Sequence, residues 1–238
     1  MTDLTGSVAL ITGASRGIGA AVAVELARRG AQCVLVARTQ GGLEETDDAI
    51  RAAGGRPATL LVLDLVKQAD KIDVIGPSIV ERYGRLDILV HNAGALGTLT
   101  PVSHITPKDW ADVVGVNLSA TWRLIRTSEP PLRHAPAGRA VFLTSGRVRQ
   151  PMAYWGAYGA TKAGMEHLVQ TWAQEVAGGG LRANLFDPGI VATQMRAQAM
   201  PGEDPATLPT PADVAPAIAN LCMPAEQRHG ETIRFSRG

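Results

Sequence analysis

Along this 238-residue chain, short apolar runs alternate with stretches whose apolar positions recur at helical spacing. The runs at 8–11, 33–36, 59–63, 86–90 and 140–143 are nearly continuously apolar, the pattern of strands covered on both faces. Between them lie candidate helices at 18–29, 43–53 and 71–83. These stop at Gly30, at Gly54 and Gly55, and at Gly84, glycine being a common helix terminator. Strand, helix and strand at this spacing predict right-handed crossovers and a parallel sheet. A further helix is expected over 108–129 after the start signal Thr106-Pro107, with Pro130 and Pro131 ending or bending it. Another is expected over 155–177, stopping at Gly178, Gly179 and Gly180. Residues 181–187 and 232–235 read as a sixth and a seventh strand. Residues 190–209 break the rhythm, with Met195, Met200 and three prolines, and read as a loop over the sheet edge that serves as a substrate-binding lid. With no internal repeat and no linker, the expectation is a single α/β domain over 1–238.

Composition narrows the class. A chain that is 45% hydrophobic and 19% charged can bury a large core, and a net charge of +1 offers no basic stripe for nucleic acid. No apolar run approaches the ~18 residues that cross a bilayer. The start MTDLTGSVALITG lacks a basic segment followed by a long apolar one, so no signal peptide is expected. Cys33 and Cys222 lie far apart and form neither a CxxC pair nor part of a metal cluster; buried thiols and no metal site are expected. Together these point to a cytoplasmic protein with neither membrane nor nucleic-acid partners.

The first strand runs into Thr12-Gly13-Ala14-Ser15-Arg16-Gly17-Ile18-Gly19, and a helix follows at once. Glycines permit a tight turn and close backbone approach, and a helix start offers N–H groups to a pyrophosphate. The alternative is an ordinary Gly-rich turn.

TGASRGIG at 12–19 resembles the cofactor turn of the short-chain dehydrogenase/reductase family. The resemblance continues through Asp64, Asn92-Ala93-Gly94, Asn117, Ser145, Tyr158-x-x-x-Lys162 and Pro188-Gly189, and so covers 4–235. It implies a doubly wound Rossmann domain with a seven-stranded parallel sheet of order 3-2-1-4-5-6-7 and helices on both faces. It also implies a nicotinamide cofactor held by Gly13, Ser15, Arg16, Gly17, Ile18 and Gly19. Further along the chain it adds Asp64, Leu65, Asn92, Ala93, Gly94, Tyr158, Lys162, Pro188, Gly189, Ile190 and Thr193. Within that set Asp64 would meet the adenine amino group, though it also reads as a helix cap, and Thr193 would meet the carboxamide.

In such a fold a carboxylate at the end of the second strand binds the 2′-hydroxyl of NAD. Here Ala37 stands eighteen residues after Gly19, followed by Arg38. No acid is present to repel a 2′-phosphate, and a guanidinium is placed to bind one, with Arg16 as a second positive contact. NADP(H) is therefore expected over NAD(H), unless Arg38 is merely a solvated strand-end residue.

Tyr158 and Lys162 are four residues apart and share one helix face, and Ser145 leaves a predicted strand. Reducing a ketone needs a hydride at carbon and a proton at oxygen. A phenol titrates near 10, and a neighbouring ammonium would lower it toward neutrality. Tyr158 is thus the expected acid/base, Lys162 its tuner, Ser145 the donor to the substrate oxygen. By resemblance Asn117 holds a relay water. His91, Gly146, Arg147 and Asp187 depart from the family pattern. His91 reads as a packed strand-end residue. Arg147 reads as either a contact to an acidic substrate group or a salt-bridged or solvent-facing side chain. Leu96, 147–155 with Met152, Tyr154 and Trp155, and the lid with Met195 and Met200 should wall a mostly apolar pocket for a small or medium carbonyl or alcohol. The helices at 108–129 and 155–177 imply, by resemblance, pairing into a homodimer or homotetramer, and the stripe Met165, Leu168, Val169 and Trp172 suits core or interface. Three other readings stay open: an NAD-linked alcohol dehydrogenase of the same family, a catalytically weak NADP(H)-binding sensor or assembly protein, and a sugar-nucleotide enzyme on a related fold.

Overall fold

The apolar runs form the strands β1 (Val8–Thr12), β2 (Gln32–Ala37), β3 (Thr59–Val62), β4 (Ile88–His91), β5 (Arg139–Leu143), β6 (Arg182–Asp187) and β7 (Thr232–Arg234) of a computed structural model that describes residues 4–236. Residues 1–3, which enter the leader reading, and residues 237–238 of the expected domain lie outside the described residues. The strands join in one parallel sheet of order β3-β2-β1-β4-β5-β6-β7. The order reverses beside β1, and ligands of such sheets bind at the C-terminal strand ends around that point.

Among the described residues, eight α-helices accompany the sheet: α1 (Gly17–Arg28), α2 (Gln40–Ala52), α3 (Ile75–Tyr83), α4 (Pro107–Val114), α5 (Ala120–His134), α6 (Gly156–Val176), α7 (Gln194–Ala199) and α8 (Pro211–Leu221). Successive side chains of β1 point to opposite faces. Ala9 and Ile11 pack with α1, α2 and α8, and Val8 and Leu10 pack with α3, α5 and α6. Burial on both faces is why the strands read as continuous apolar runs.

Three elements differ from the sequence expectation. The helix expected over 108–129 is α4 and α5 joined by a π-helical turn, Gly115–Ser119, and it runs through Pro130 and Pro131 to His134. The prolines remove two N–H groups, yet the packing of Leu124, Ile125 and Leu132 holds the helix on course. The first part of the stretch expected as helix over 71–83 is a 3-10 helix, Ala69–Val74, which passes into α3. The segment 190–209 is not simply loop: it carries α7, capped by Thr193, and a 3-10 turn at Pro205–Thr207. Sequence reading missed α8, although the signal is present. Thr210 and Asp213 form a capping box, Pro211 sits at the first helical position, and Val214, Ala215, Ile218 and Ala219 form a buried stripe.

Cys33 and Cys222 are buried, and burial pushes both thiols up to about 12. Among the described residues, no helix is long and apolar enough to cross a membrane.

Candidate active site

A cleft of about 1000 Å³ opens over the C-terminal ends of the strands, where the chain changes direction across the sheet. At one end lies the turn after β1. Gly13 has φ +65, and a Cβ there would stand 2.7 Å from Asn92 Nδ2 and 2.8 Å from Ala93 Cα. The backbones of the first and fourth strand ends therefore touch, and only glycine permits it. Asn92 Nδ2 donates to Gly13 O at 3.0 Å and to Thr12 O at 3.3 Å, bracing the turn from beneath. The N-cap of α1 is Arg16, whose side chain makes no cap hydrogen bond. Ser15, Arg16, Gly17 and Ile18 line the cleft at that helix start. Gly19 does not line it. A Cβ on Gly19 would collide with Gly13 O and Asn92 Nδ2, so this glycine serves the close packing of α1 against the turn.

Beyond β2 and β3, exposed Arg38 lines the cleft with Asp64 and Leu65. Asp64 Oδ1 accepts from Val66 N at 2.9 Å and Lys67 N at 3.0 Å, as the cap reading expects. Burial works to raise its carboxyl, but the amides of Lys67 and Val66 and the charges of Arg38 and Lys67 outweigh it, and the group lies below its ordinary range. Ala93, Gly94, Pro188, Gly189, Ile190 and Thr193 complete this half of the wall.

Ser145, Tyr158 and Lys162 meet at the other end. Ser145 follows β5, and its hydroxyl accepts from Arg147 N at 3.3 Å and sits close enough to Tyr158 to pull its phenol downward. Tyr158 is buried, its ring edge-on to Trp155 with centroids 5.7 Å apart. Lys162 Nζ donates to Leu143 O at 2.7 Å, and burial pulls its ammonium down to about 8 against the opposing charge of Glu166.

The expected tuning of Tyr158 by Lys162 is corrected here. The phenol lies above its ordinary value, not below: burial raises it most, Ser145 lowers it, Asp187 raises it and Arg147 lowers it. Asn117 stands at the junction of α4 and α5. It is fully buried in the π-helical turn, does not line the cleft, and spends its amide on Ala95 N (2.8 Å), Ala95 O (2.9 Å) and Thr161 Oγ1 (3.0 Å). Its side chain ties the segment after β4 to α6. Met152 and Tyr154 are exposed and, like Met200, lie outside the cleft wall, whereas Leu96, Arg147, Trp155 and Met195 line it. Tyr154 has φ +74, an uncommon conformation for a side-chain-bearing residue.

Sequence reading noted Asp187 only as a departure and missed what surrounds it. Its Oδ2 pairs with Arg149 Nη2 at 2.6 Å and with Arg234 Nε at 3.3 Å, and its Oδ1 accepts from Gly189 N at 3.0 Å. Arg149 also reaches Glu166 at 3.4 Å, which accepts from Thr144 Oγ1 at 2.6 Å. This network ties the ends of β5, β6 and β7 to α6 directly behind Ser145. The hint in sequence was Glu166 at four residues from Lys162 on the same helix face.

Comparison with known proteins agrees with this architecture. A family model for short chain dehydrogenase matches residues 7–204. The chain is 40% identical over 214 residues to the uncharacterised oxidoreductase YciK of Escherichia coli, covering 90% of this chain and 84% of that protein. It is 31% identical over 245 residues to the 3-oxoacyl-[acyl-carrier-protein] reductase FabG of Vibrio cholerae, covering 99% and 98%. A structure described as a short chain dehydrogenase from Escherichia coli CFT073, complexed with NADPH, superposes with a TM-score of 0.93 at 38% identity, covering 98% of each chain. With the family model spanning most of its length and relatives this close, the chain belongs to the short-chain dehydrogenase family and is an oxidoreductase of that family.

Proposed function

We propose that this protein is an NADP(H)-dependent oxidoreductase that moves a hydride between the nicotinamide and a small or medium carbonyl or alcohol substrate, with Tyr158 as its acid/base. The observation that carries the reading is the meeting of Ser145, Tyr158 and Lys162 in the same cleft as the glycine turn and Arg38. The residues present fit a dinucleotide. The start of α1 lacks a side-chain cap, so its first amides suit a pyrophosphate. Arg38 suits a 2′-phosphate, and no carboxylate stands at the end of β2 to repel one. The Escherichia coli neighbour holds NADPH, and a Shigella flexneri neighbour of TM-score 0.93 and 38% identity holds NADP.

When bound, the nicotinamide supplies or accepts the hydride at the substrate carbon. The chain's own groups act at the substrate oxygen. Tyr158 Oη, with its phenol raised by burial, is protonated at neutral pH and donates that proton as the oxygen gains charge. Ser145 Oγ holds the same oxygen and stabilises its charge. Lys162, fixed by Leu143 O, keeps a positive charge beneath the pair. Asn117 positions α6 and the segment after β4. The segment 190–209 acts as the substrate lid within a single domain, and two copies pair across the faces of α5 and α6.

The test is reduction of a carbonyl panel with NADPH by the wild type and by Tyr158→Phe. The variant is expected to lose about 100- to 10,000-fold in kcat while binding NADPH as before. Alcohol oxidation, which needs the phenolate, should rise with pH well past neutrality because the phenol titrates above its ordinary value. Unchanged turnover in Tyr158→Phe contradicts the assignment.

A further inference from the structure

Three guanidiniums line the substrate half of the cleft, and they differ in what neutralises them. Arg196 is held by Glu203 through two contacts, at 2.5 and 2.7 Å. Arg234 is paired with buried Asp187 at 3.3 Å. Arg147 has no carboxylate partner among the described residues. Its Nη1 donates to Gln150 O at 3.4 Å and Met152 Sδ at 3.3 Å, and its guanidinium lies 5.6 Å from the centre of the Trp155 ring. Trp155 in turn packs edge-on against Tyr158. A cation is thus fixed in place, two residues beyond Ser145 and one aromatic ring away from the phenol, with Nε and Nη2 free of hydrogen bonds among the described residues.

Holding a charge in a partly buried wall without a counter-ion costs stability. A surface arginine needs no such stacking. Pre-organisation of this kind is what substrate recognition uses, because little side-chain freedom is then lost on binding. Asp109, the carboxylate on the Leu96–Thr98 side of the cleft, has its Oδ2 engaged by the Thr98 amide at 2.9 Å and leaves Arg147 unneutralised.

We infer that Arg147 is a specificity-determining residue that binds a carboxylate at the far end of the substrate, so that the natural substrates are oxo acids or the corresponding hydroxy acids. A carboxylate fits better than a phosphate dianion. One planar guanidinium edge pairs two oxygens of a carboxylate, whereas a dianion calls for a second free cation, and Arg196 and Arg234 are already neutralised. Trp155, Leu96 and Met195 give the spacer between carbonyl and carboxylate an apolar wall.

The inference rests on the oxidoreductase reading above, and two readouts separate them. Levulinate, 5-oxohexanoate and 6-oxoheptanoate are compared with their methyl esters, in kcat/KM with NADPH and in calorimetric affinity for the protein saturated with NADP. Acids are expected to exceed their esters in both measurements, by about 10- to 100-fold, the scale of a charge-assisted hydrogen bond. The acid-to-ester ratio should collapse at least tenfold in Arg147→Gln and recover in part in Arg147→Lys. Each ratio is taken within one variant, so a general loss of folding cancels. Equal affinity for acid and ester, no measurable affinity for either, or a ratio unmoved by Arg147→Gln overturns the inference. Selective binding of acids that depends on Arg147, without turnover of any, supports it and counts instead against the oxidoreductase reading.

Discussion

His91 ends β4 between Thr12, whose hydroxyl lies 2.8 Å from its Nδ1, and the ring of Phe142, and its Nε2 has no hydrogen-bond partner among the described residues. Burial, helped by the charge of Lys162, pushes the imidazole down to about 3. The sign follows from which state holds the proton. The folded chain keeps His91 neutral while the unfolded chain protonates it near 6.5, so its contribution is complete above that value and fades as pH falls toward 3. At pH 4 the loss from this group is about 3 kcal/mol. Replacing His91 by Asn should remove that component, so urea midpoints of wild type and variant converge as pH drops from 6.5 to 4. Parallel curves would contradict the assignment. The packed-histidine reading was legible because His91 ends an apolar run. The electrostatics of Tyr158 were not, since spacing along a helix says that Lys162 is near but not how strongly burial raises the phenol.

At the scale of elements, the meeting of β1, α1 and β4 depends on backbone contact that admits no side chain. A Cβ at Gly19 runs into the backbone oxygen of Gly13, which cannot move without breaking the turn. Gly19→Ala should therefore lower stability by about 1–3 kcal/mol, as overpacking commonly does, and weaken dinucleotide binding at the same time. A thermal shift with and without NADPH checks both, and a variant with wild-type melting and binding would contradict the contact. The strands and most helices were readable because each carries its own periodicity. The π-helical turn at Asn117 was not, because it depends on Asn117 bonding to Ala95 and Thr161, 22 and 44 residues away in sequence. The passage of α5 through Pro130 and Pro131 escaped for a similar reason, with tertiary packing overriding a local preference. The Asp187, Arg149 and Glu166 network joins four elements, and no single segment announces it.

For the whole molecule, the order of the sheet brings residues from both ends of the chain to one cleft, from Gly13 to Arg234. In the proposed reading Arg38 serves the adenosine end and Ser145, Tyr158 and Lys162 the chemical end, so cofactor choice and catalysis would belong to separate parts of the same groove. The central claim, NADP(H) dependence, is tested most directly by titrating the purified protein with NADPH and NADH in parallel, following nicotinamide fluorescence, and repeating both with Arg38→Ala. The account predicts NADPH binding about 10- to 100-fold tighter than NADH, a preference mostly lost in the variant. NADH binding as tight as NADPH in the wild type, or a preference unaltered by Arg38→Ala, would contradict it.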